Sequence, residues 1–278
     1  MASNYRSPFT GIPPVTKNLI IINVIMLLAT YLLAPKGIDL TKAFALYYPE
    51  SENFRWYQPI THMFMHGGFG HIFFNMFALF MFGRVLESVW GPKRFLLFYF
   101  VTGLGAAALH TFVNYIEIEP LAKAVTAFSN TPSADLFSAF VNKHQSTIKD
   151  LGFNLPQIID FATSWLDTPT STSYEAEATS FMNQLISIKM NIPTVGASGA
   201  VYGVLLGFGM LFPNTEMMIF PLPVPIKAKY MVMGYAALEL VLGLSMPGSN
   251  IAHFAHLGGM LFGFFMIKYW NKSTTNFY

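Results

Sequence analysis

The 278-residue chain contains no cysteine. That absence removes thiol nucleophiles, thiolate metal ligands and disulfides together, and it fits any redox compartment. Charge is scarce as well: 11% of residues are charged, against about 25% in an ordinary soluble domain. Sixteen Lys+Arg and fourteen Asp+Glu would cover a soluble exterior thinly. The net charge of +2 is too small and scattered to point to nucleic acid. No long internal repeat or low-complexity tract is visible. What abounds is apolar, with 53% hydrophobic residues, 28 Phe and 16 Met. Lipid is the solvent that suits such a surface.

Six apolar runs predict an all-α polytopic membrane protein. They are Asn18 to Leu33, about Phe69 to Trp90, Phe95 to Val113, Ser198 to Phe212, about Tyr230 to Met246, and about Ile251 to Trp270. The first follows a polar start without a small-residue cleavage site, so it reads as a retained helix rather than a removed signal. A tight turn, Gly91-Pro92-Lys93-Arg94, joins the second and third. The fourth would be only about 22 Å long against a hydrocarbon core of about 30 Å, which predicts a short helix recessed from one surface.

Charge placement orients these runs. Segments assigned inside carry Arg6, Lys17, Arg84, Lys93, Arg94, Lys227, Lys229, Lys268 and Lys272 against Glu87 and Glu216. Outer segments are net acidic, and Glu239 lies within the fifth run. Both termini are therefore expected in the cytoplasm. Residues 1–278 read as one membrane domain interrupted by an outer-face insertion over 114–193. There Lys123, Lys143, Lys149 and Lys189 meet eight anions from Glu117 to Glu177. Helical spacing of Phe137, Phe140, Val141 and Ile148 predicts a helix over Ala134 to Leu151, and Leu155 to Trp165 a second. Thr168 to Ser173 reads as a turn or flexible stretch. The insertion is either a passive decoration or a surface that meets substrate.

Against this apolar background two polar groups stand out, Ser198 in Gly196-Ala197-Ser198-Gly199 and His256 in Ala255-His256-Leu257-Gly258-Gly259. Ionisable and nucleophilic groups at membrane depth are costly and point to function. Six of the seven histidines, all but His144, lie in or beside the apolar runs. His71 and Asn75 are four apart and share a helical face, offering two neutral donors of the kind an oxyanion site needs. The same spacing describes an interhelical polar lock. A serine among glycines also marks close helix packing. Gly196 and Gly199 permit close backbone approach, and Gly259 and Gly263 form a small-xxx-small face beneath His256.

These motifs, in this order, resemble those of the rhomboid intramembrane serine proteases, from about Asn18 through Tyr269 without most of the insertion. The family's Gly-x-Ser-Gly falls on Gly196 to Gly199, and its Ala-His with following small residues on Ala255, His256, Gly259 and Gly263. Its His-x-x-x-Asn falls on His71 and Asn75, and its Gly-x-x-x-Glu-x-x-x-Gly on Gly83, Glu87 and Gly91. Tyr202 matches the aromatic that packs on the catalytic histidine. The resemblance implies a six-transmembrane-helix bundle and a Ser198–His256 dyad acting through an acyl-enzyme. His71 and Asn75 would supply the oxyanion site, with Tyr202, Gly196, Gly199, Gly259, Gly263 and Glu87 in supporting roles. It further implies single-pass transmembrane protein substrates in membrane lipid, no cofactor, no metal, no nucleic acid and no obligate partner. His66 would brace the outer-loop entrance.

One departure is that Arg55 precedes Trp56, where the family often has Trp-Arg, so the loop-anchoring role is open. Two other functions are weighed. An intramembrane metalloprotease would use the clustered histidines, but His62-x-x-x-His66 lacks the acid of His-Glu-x-x-His. A catalytically silent binding or transport protein for transmembrane segments would have no need to retain both Ser198 and His256.

Overall fold

In the computed structural model the described residues are 11–168, 172–219, 222–245 and 252–273. Helix α1 (Pro14–Leu33) leads through a short turn to α2 (Leu40–Phe44) and α3 (Gln58–Thr61). Next come α4 (Phe69–Ala78), a π-helical turn (Leu79–Gly83) and α5 (Arg84–Trp90), which together form one continuous rod. Helix α6 (Pro92–Asn130) is followed by α7 (Ala134–Lys143), α8 (Gln145–Asp150), α9 (Leu155–Asp167) and α10 (Thr172–Met190). Then come α11 (Ser198–Leu211), the strands β1 (Glu216–Ile219) and β2 (Leu222–Lys227), α12 (Ala228–Ser245) and α13 (His253–Ser273).

Three helical stretches, Pro14–Lys36, Phe69–Trp90 and Pro92–Asn130, are long and apolar enough to cross a membrane, and α11 is a shorter apolar helix. Their outward faces fit that solvent. Ile25, Leu28 and Leu32 of α1, Phe73, Phe74 and Phe77 of α4, and Met233, Val241 and Leu244 of α12 are all exposed. Apolar bands of that extent are not stable against water. Inside, α1, the α4–α5 rod, α6, α11 and α13 share one core, with Leu79, Leu86, Phe95, Phe98, Tyr99 and Val204 fully buried.

Helix α6 departs from the expected third span. Hydropathy falls at Val113, yet the helix runs 39 residues, about 58 Å, nearly twice a hydrocarbon core. The extension carries Ala122, Ala124 and Ala127, strong helix formers, and the i,i+4 pair Glu119–Lys123 at 3.0 Å. The helix continues past the end of the apolar run even though Pro120 inside it removes one ladder hydrogen bond. Its far half joins α7 to α10 around a second core of Leu121, Phe128, Phe137, Ile148, Trp165 and Leu185. Each such fully buried side chain contributes about 2 kcal/mol. The helix expected over Ala134 to Leu151 is broken at His144, whose ring packs on Phe140 at 4.9 Å. Of the expected turn at Thr168 to Ser173, residues 169–171 lie outside the described residues, while Thr172 and Ser173 already belong to α10.

The expectation of an all-α chain also needs correcting between α11 and α12. There β1 and β2 form an antiparallel hairpin with Glu216 opposite Lys227 and Met218 opposite Pro225. Pro225 lacks the N–H and backbone freedom for a helix and tolerates the edge of a two-stranded ribbon.

Glu87 is nowhere near Ser198. Its buried carboxylate accepts from Val15 N at 2.9 Å, Thr16 N at 2.7 Å and Thr16 Oγ1 at 2.8 Å. Helix α1 starts at Pro13-Pro14 with no side-chain cap of its own. Glu87 therefore supplies from a distant helix the acceptors that the first turn of α1 lacks, at the end where the helix dipole favours an anion.

Candidate active site

The segment before α11 is held from both sides. Leu46 and Thr194 exchange backbone hydrogen bonds at 2.9 and 2.8 Å, and Gly196 N donates to His62 O at 3.0 Å. Gly196 has φ +130°, and a Cβ there would stand 2.9 Å from the His71 ring. Glycine is thus required both by the backbone angle and by the space. This turn sets Ser198 as the first residue of α11. The first intrahelical bond runs from Val201 N to Ala197 O at 2.9 Å, so the N–H groups of Ser198 and Gly199 precede the helix ladder.

Helix α13 brings the base. His256 Nε2 lies 2.9 Å from Ser198 Oγ. The approach is possible because α13 and α11 touch backbone to backbone: a Cβ at Gly259 would fall 1.8 Å from the Gly199 carbonyl oxygen. At Gly199 it would meet Ala106 of α6 at 2.3 Å, and at Gly263 it would meet Phe98 and Thr102 of α6 at 3.2 and 3.3 Å. Tyr202, one turn below Ser198, lies flat on the His256 ring, with centroids 4.2 Å apart and planes 5° from parallel.

His71 and Asn75 line the same cavity of about 810 Å³ as Ser198, Tyr202 and His256. His71 Nδ1 accepts a long bond from Gly67 N at 3.4 Å, which leaves its Nε2 side toward Gly196 and Ser198. Asn75 spends one amide hydrogen on the His71 carbonyl at 3.0 Å. His66 is buried with its ring edge-on to His71 at 5.0 Å, and neither ring nitrogen has a hydrogen-bond partner. Burial, reinforced by His71, holds its pKa down to about 4. His62 is likewise held near 4 by burial, although its Nδ1 meets the Gln58 carbonyl at 3.0 Å. In the first loop Gln58, not Arg55, makes the long-range tie, donating to Asn53 O at 2.8 Å and Ala43 O at 3.4 Å. The Arg55 guanidinium bonds carbonyls of its own turn, Glu52 and Phe54, and its backbone N–H donates to Gln58 Oε1 at 3.0 Å.

Two residues at this site are ones that the sequence reading did not assign to it. Glu239 of α12 is buried and accepts from Tyr202 Oη at 2.5 Å, while its other oxygen meets His253 Nδ1 at 2.6 Å. His256 Nδ1 stands 3.0 Å from Glu239 Oε1, an ion-pair separation in which the ring N–H is not aligned as a hydrogen bond. The signal was present, since an ionisable side chain inside an apolar run requires partners. His62 and His66 do not join a larger group. Among the described residues, Glu239, His253 and His256 are the set of three or more whose ligating atoms, all within 4.8 Å, could hold a metal.

Three helices long and apolar enough to cross a membrane, in a bundle whose α11 and α13 hold a serine and a histidine at hydrogen-bond distance, define a class, an integral membrane protein with a polar site in its helical core. The Rhomboid domain matches residues 53–122 and 170–272, and the chain belongs to that family. The unmatched stretch between them lies within the insertion. The chain is 32% identical over 105 residues to "Rhomboid protease GluP" of Bacillus subtilis (strain 168), 37% of this chain and 20% of that protein. It is 36% identical over 63 residues to "Rhomboid protease AarA" of Providencia stuartii, 23% of this chain and 22% of that protein. It is also 37% identical over 71 residues to "Rhomboid protein 1, mitochondrial" of Saccharomyces cerevisiae, covering 26% and 20%. The aligned stretches thus span less than a quarter of each of these relatives.

Proposed function

We propose that this chain is a rhomboid-type serine endopeptidase that cleaves transmembrane protein substrates within the membrane. The observation that carries the reading is the 2.9 Å approach of His256 Nε2 to Ser198 Oγ at the start of a buried helix. Three protease- or rhomboid-named relatives and the family match support it. In this reading α1, the α4–α5 rod, the first half of α6, α11, α12 and α13 are the six spans. At 14 residues, about 21 Å, α11 cannot cross the core alone, so its start is recessed. The insertion over 114–193 stands on the outer face and both termini lie in the cytoplasm.

His256 Nε2 takes the proton from Ser198 Oγ as that oxygen bonds the scissile carbonyl carbon. The carbonyl oxygen takes up the negative charge, stabilised by the Ser198 N–H, His71 and Asn75. Collapse breaks the C–N bond, and His256 gives its proton to the departing amine. Water then repeats the sequence on the acyl-serine, freeing the acid and restoring Ser198. The neutrality of His66 beside His71 keeps a second positive charge away from that face.

The test uses the purified full chain in proteoliposomes with a single-pass substrate carrying Gly or Pro near its outer end, since an intact helix hides the carbonyl. Wild type should cut it, and a serine-directed phosphonate should mark Ser198. Ser198→Ala and His256→Ala should each fold yet leave substrate whole. Full cleavage by folded Ser198→Ala would remove the assignment, and binding without cleavage by wild type would favour a silent receptor for transmembrane segments.

A further inference from the structure

A carboxylate buried in an apolar helix is costly. Moving such an ion out of water costs several kcal/mol even after relaxation, and it persists only when paired and hydrogen-bonded. Glu239 is 5% exposed. It is met by three groups from two other helices: the Tyr202 hydroxyl of α11 and the His253 ring of α13 within hydrogen-bond distance, and the His256 ring of α13 at ion-pair separation. A purely structural tie of α12 to α11 and α13 would be complete with Tyr202 and His253 alone. The third approach, to His256, needs a separate reason.

That reason lies in the imidazole's two nitrogens. To accept the Ser198 proton, Nε2 must be bare, so the ring proton must sit on Nδ1. Nδ1 is the atom that faces Glu239 Oε1 at 3.0 Å. A carboxylate there selects that tautomer and becomes the counter-charge of the imidazolium that forms as Ser198 attacks. Because the N–H is not aligned on Oε1, the attraction is mostly of charge for charge. It strengthens when the ring becomes positive, which is in the transition state rather than in the resting enzyme. Tyr202 binds both members of the pair, stacking on the ring and donating to the same carboxylate oxygen.

We infer that Glu239 is a positioning residue that completes a Ser198–His256–Glu239 relay, contributed by α12. The inference rests on the proteolytic reading above. It replaces the simple dyad expected from the sequence with a three-member chain whose acid sits on a different helix from either partner. Seating of α12 therefore becomes a condition for full activity, because any outward movement of this helix withdraws the carboxylate from Nδ1.

The experiment compares wild type, Glu239→Gln and Glu239→Asp as full-length proteins in proteoliposomes, measuring kcat, KM and the rate of Ser198 phosphonylation. Glu239→Gln keeps the shape and loses the charge; kcat and phosphonylation should fall together by at least about tenfold, with KM within about twofold of wild type. Glu239→Asp should recover part of the loss. A folded Glu239→Gln with wild-type kcat and labelling would overturn the inference, as would equal changes in kcat and KM tracking lost thermal stability. If neither variant folds, the wild type decides: after phosphonylation the His256 Nδ1 proton should resonate at the low field of a carboxylate-paired imidazolium, and an ordinary shift overturns the relay. Activity that chelation removes and zinc restores would also overturn it, in favour of a metal held by Glu239, His253 and His256. Failure of wild type to cut or to be labelled would reject the protease reading itself, a distinct result.

Discussion

Two buried ionisable residues away from the nucleophile set the conditions under which this molecule stays folded. Glu87 holds three donors at the start of α1. Hydrogen bonds to a charged acceptor are worth about 1.5–3 kcal/mol each, with a further penalty for stranding the donors. Glu87→Ala should therefore lower stability by about 3 kcal/mol or more, read as a drop in detergent-solubilised unfolding midpoint, while phosphonylation of the protein still folded stays at the wild-type rate. Loss of labelling without loss of stability would place Glu87 in the chemistry instead. His66 responds to pH. Its folded pKa lies near 4, below the 6.5 of a free histidine. Between those values the unfolded chain binds the extra proton, so stability is full above about 6.5 and is lost as pH falls toward 4, at most about 1.4 kcal/mol per pH unit. His66→Phe, which fills the same space without a titrating group, should make the unfolding midpoint less dependent on pH between 6.5 and 4, leaving the part of the slope due to other buried histidines such as His62. An unchanged slope would mean that His66 is not held neutral by burial.

At the scale of elements, the site exists because α13 and α11 touch through backbone. A methyl at Gly259 would fall 1.8 Å from the Gly199 carbonyl, whereas one at Gly234 of α12 meets nothing within 4 Å. Gly259→Ala should push the helices apart, costing about 1–3 kcal/mol or more and moving His256 from Ser198, so labelling falls steeply. Gly234→Ala should leave labelling intact and raise stability by up to about 1 kcal/mol, the difference in helix propensity. Equal behaviour of the two variants would show that the close approach is not what positions the base.

For the whole molecule, the question is how a substrate helix would reach Ser198. The cavity at Ser198 is lined by Phe74 of α4 and Leu242 of α12 among others. Entry is proposed beside α12; the uncharged stretch 246–250 that follows it in the sequence lies outside the described residues. Helix α12 itself carries Glu239, bound to α11 and α13. Movement of this helix is thus opposed by the relay that it completes. Since the chain has no cysteine, Phe74→Cys with Leu242→Cys gives a clean pair for a short thiol cross-linker. Cross-linking should suppress cleavage of a transmembrane substrate while Ser198 still reacts with a small phosphonate. Unchanged turnover in fully cross-linked protein would place substrate access elsewhere.

The sequence by itself determined the apolar helices, the order of the motifs and the residues most costly to bury, because hydropathy and spacing are local properties of the chain. Ser198, His256, His71 and Asn75 could be named from it for that reason. Where hydropathy ends, however, helices need not, so the far half of α6 and the core formed there by Phe128, Phe137 and Trp165 were hidden. The hairpin between α11 and α12 was hidden too. Only the tertiary structure decided that Glu87 caps α1 from 71 residues away and that Glu239 of α12 meets His256 of α13. Both are pairings between distant charges and donors. Their geometry follows from how the helices pack, and no local pattern in the chain encodes it.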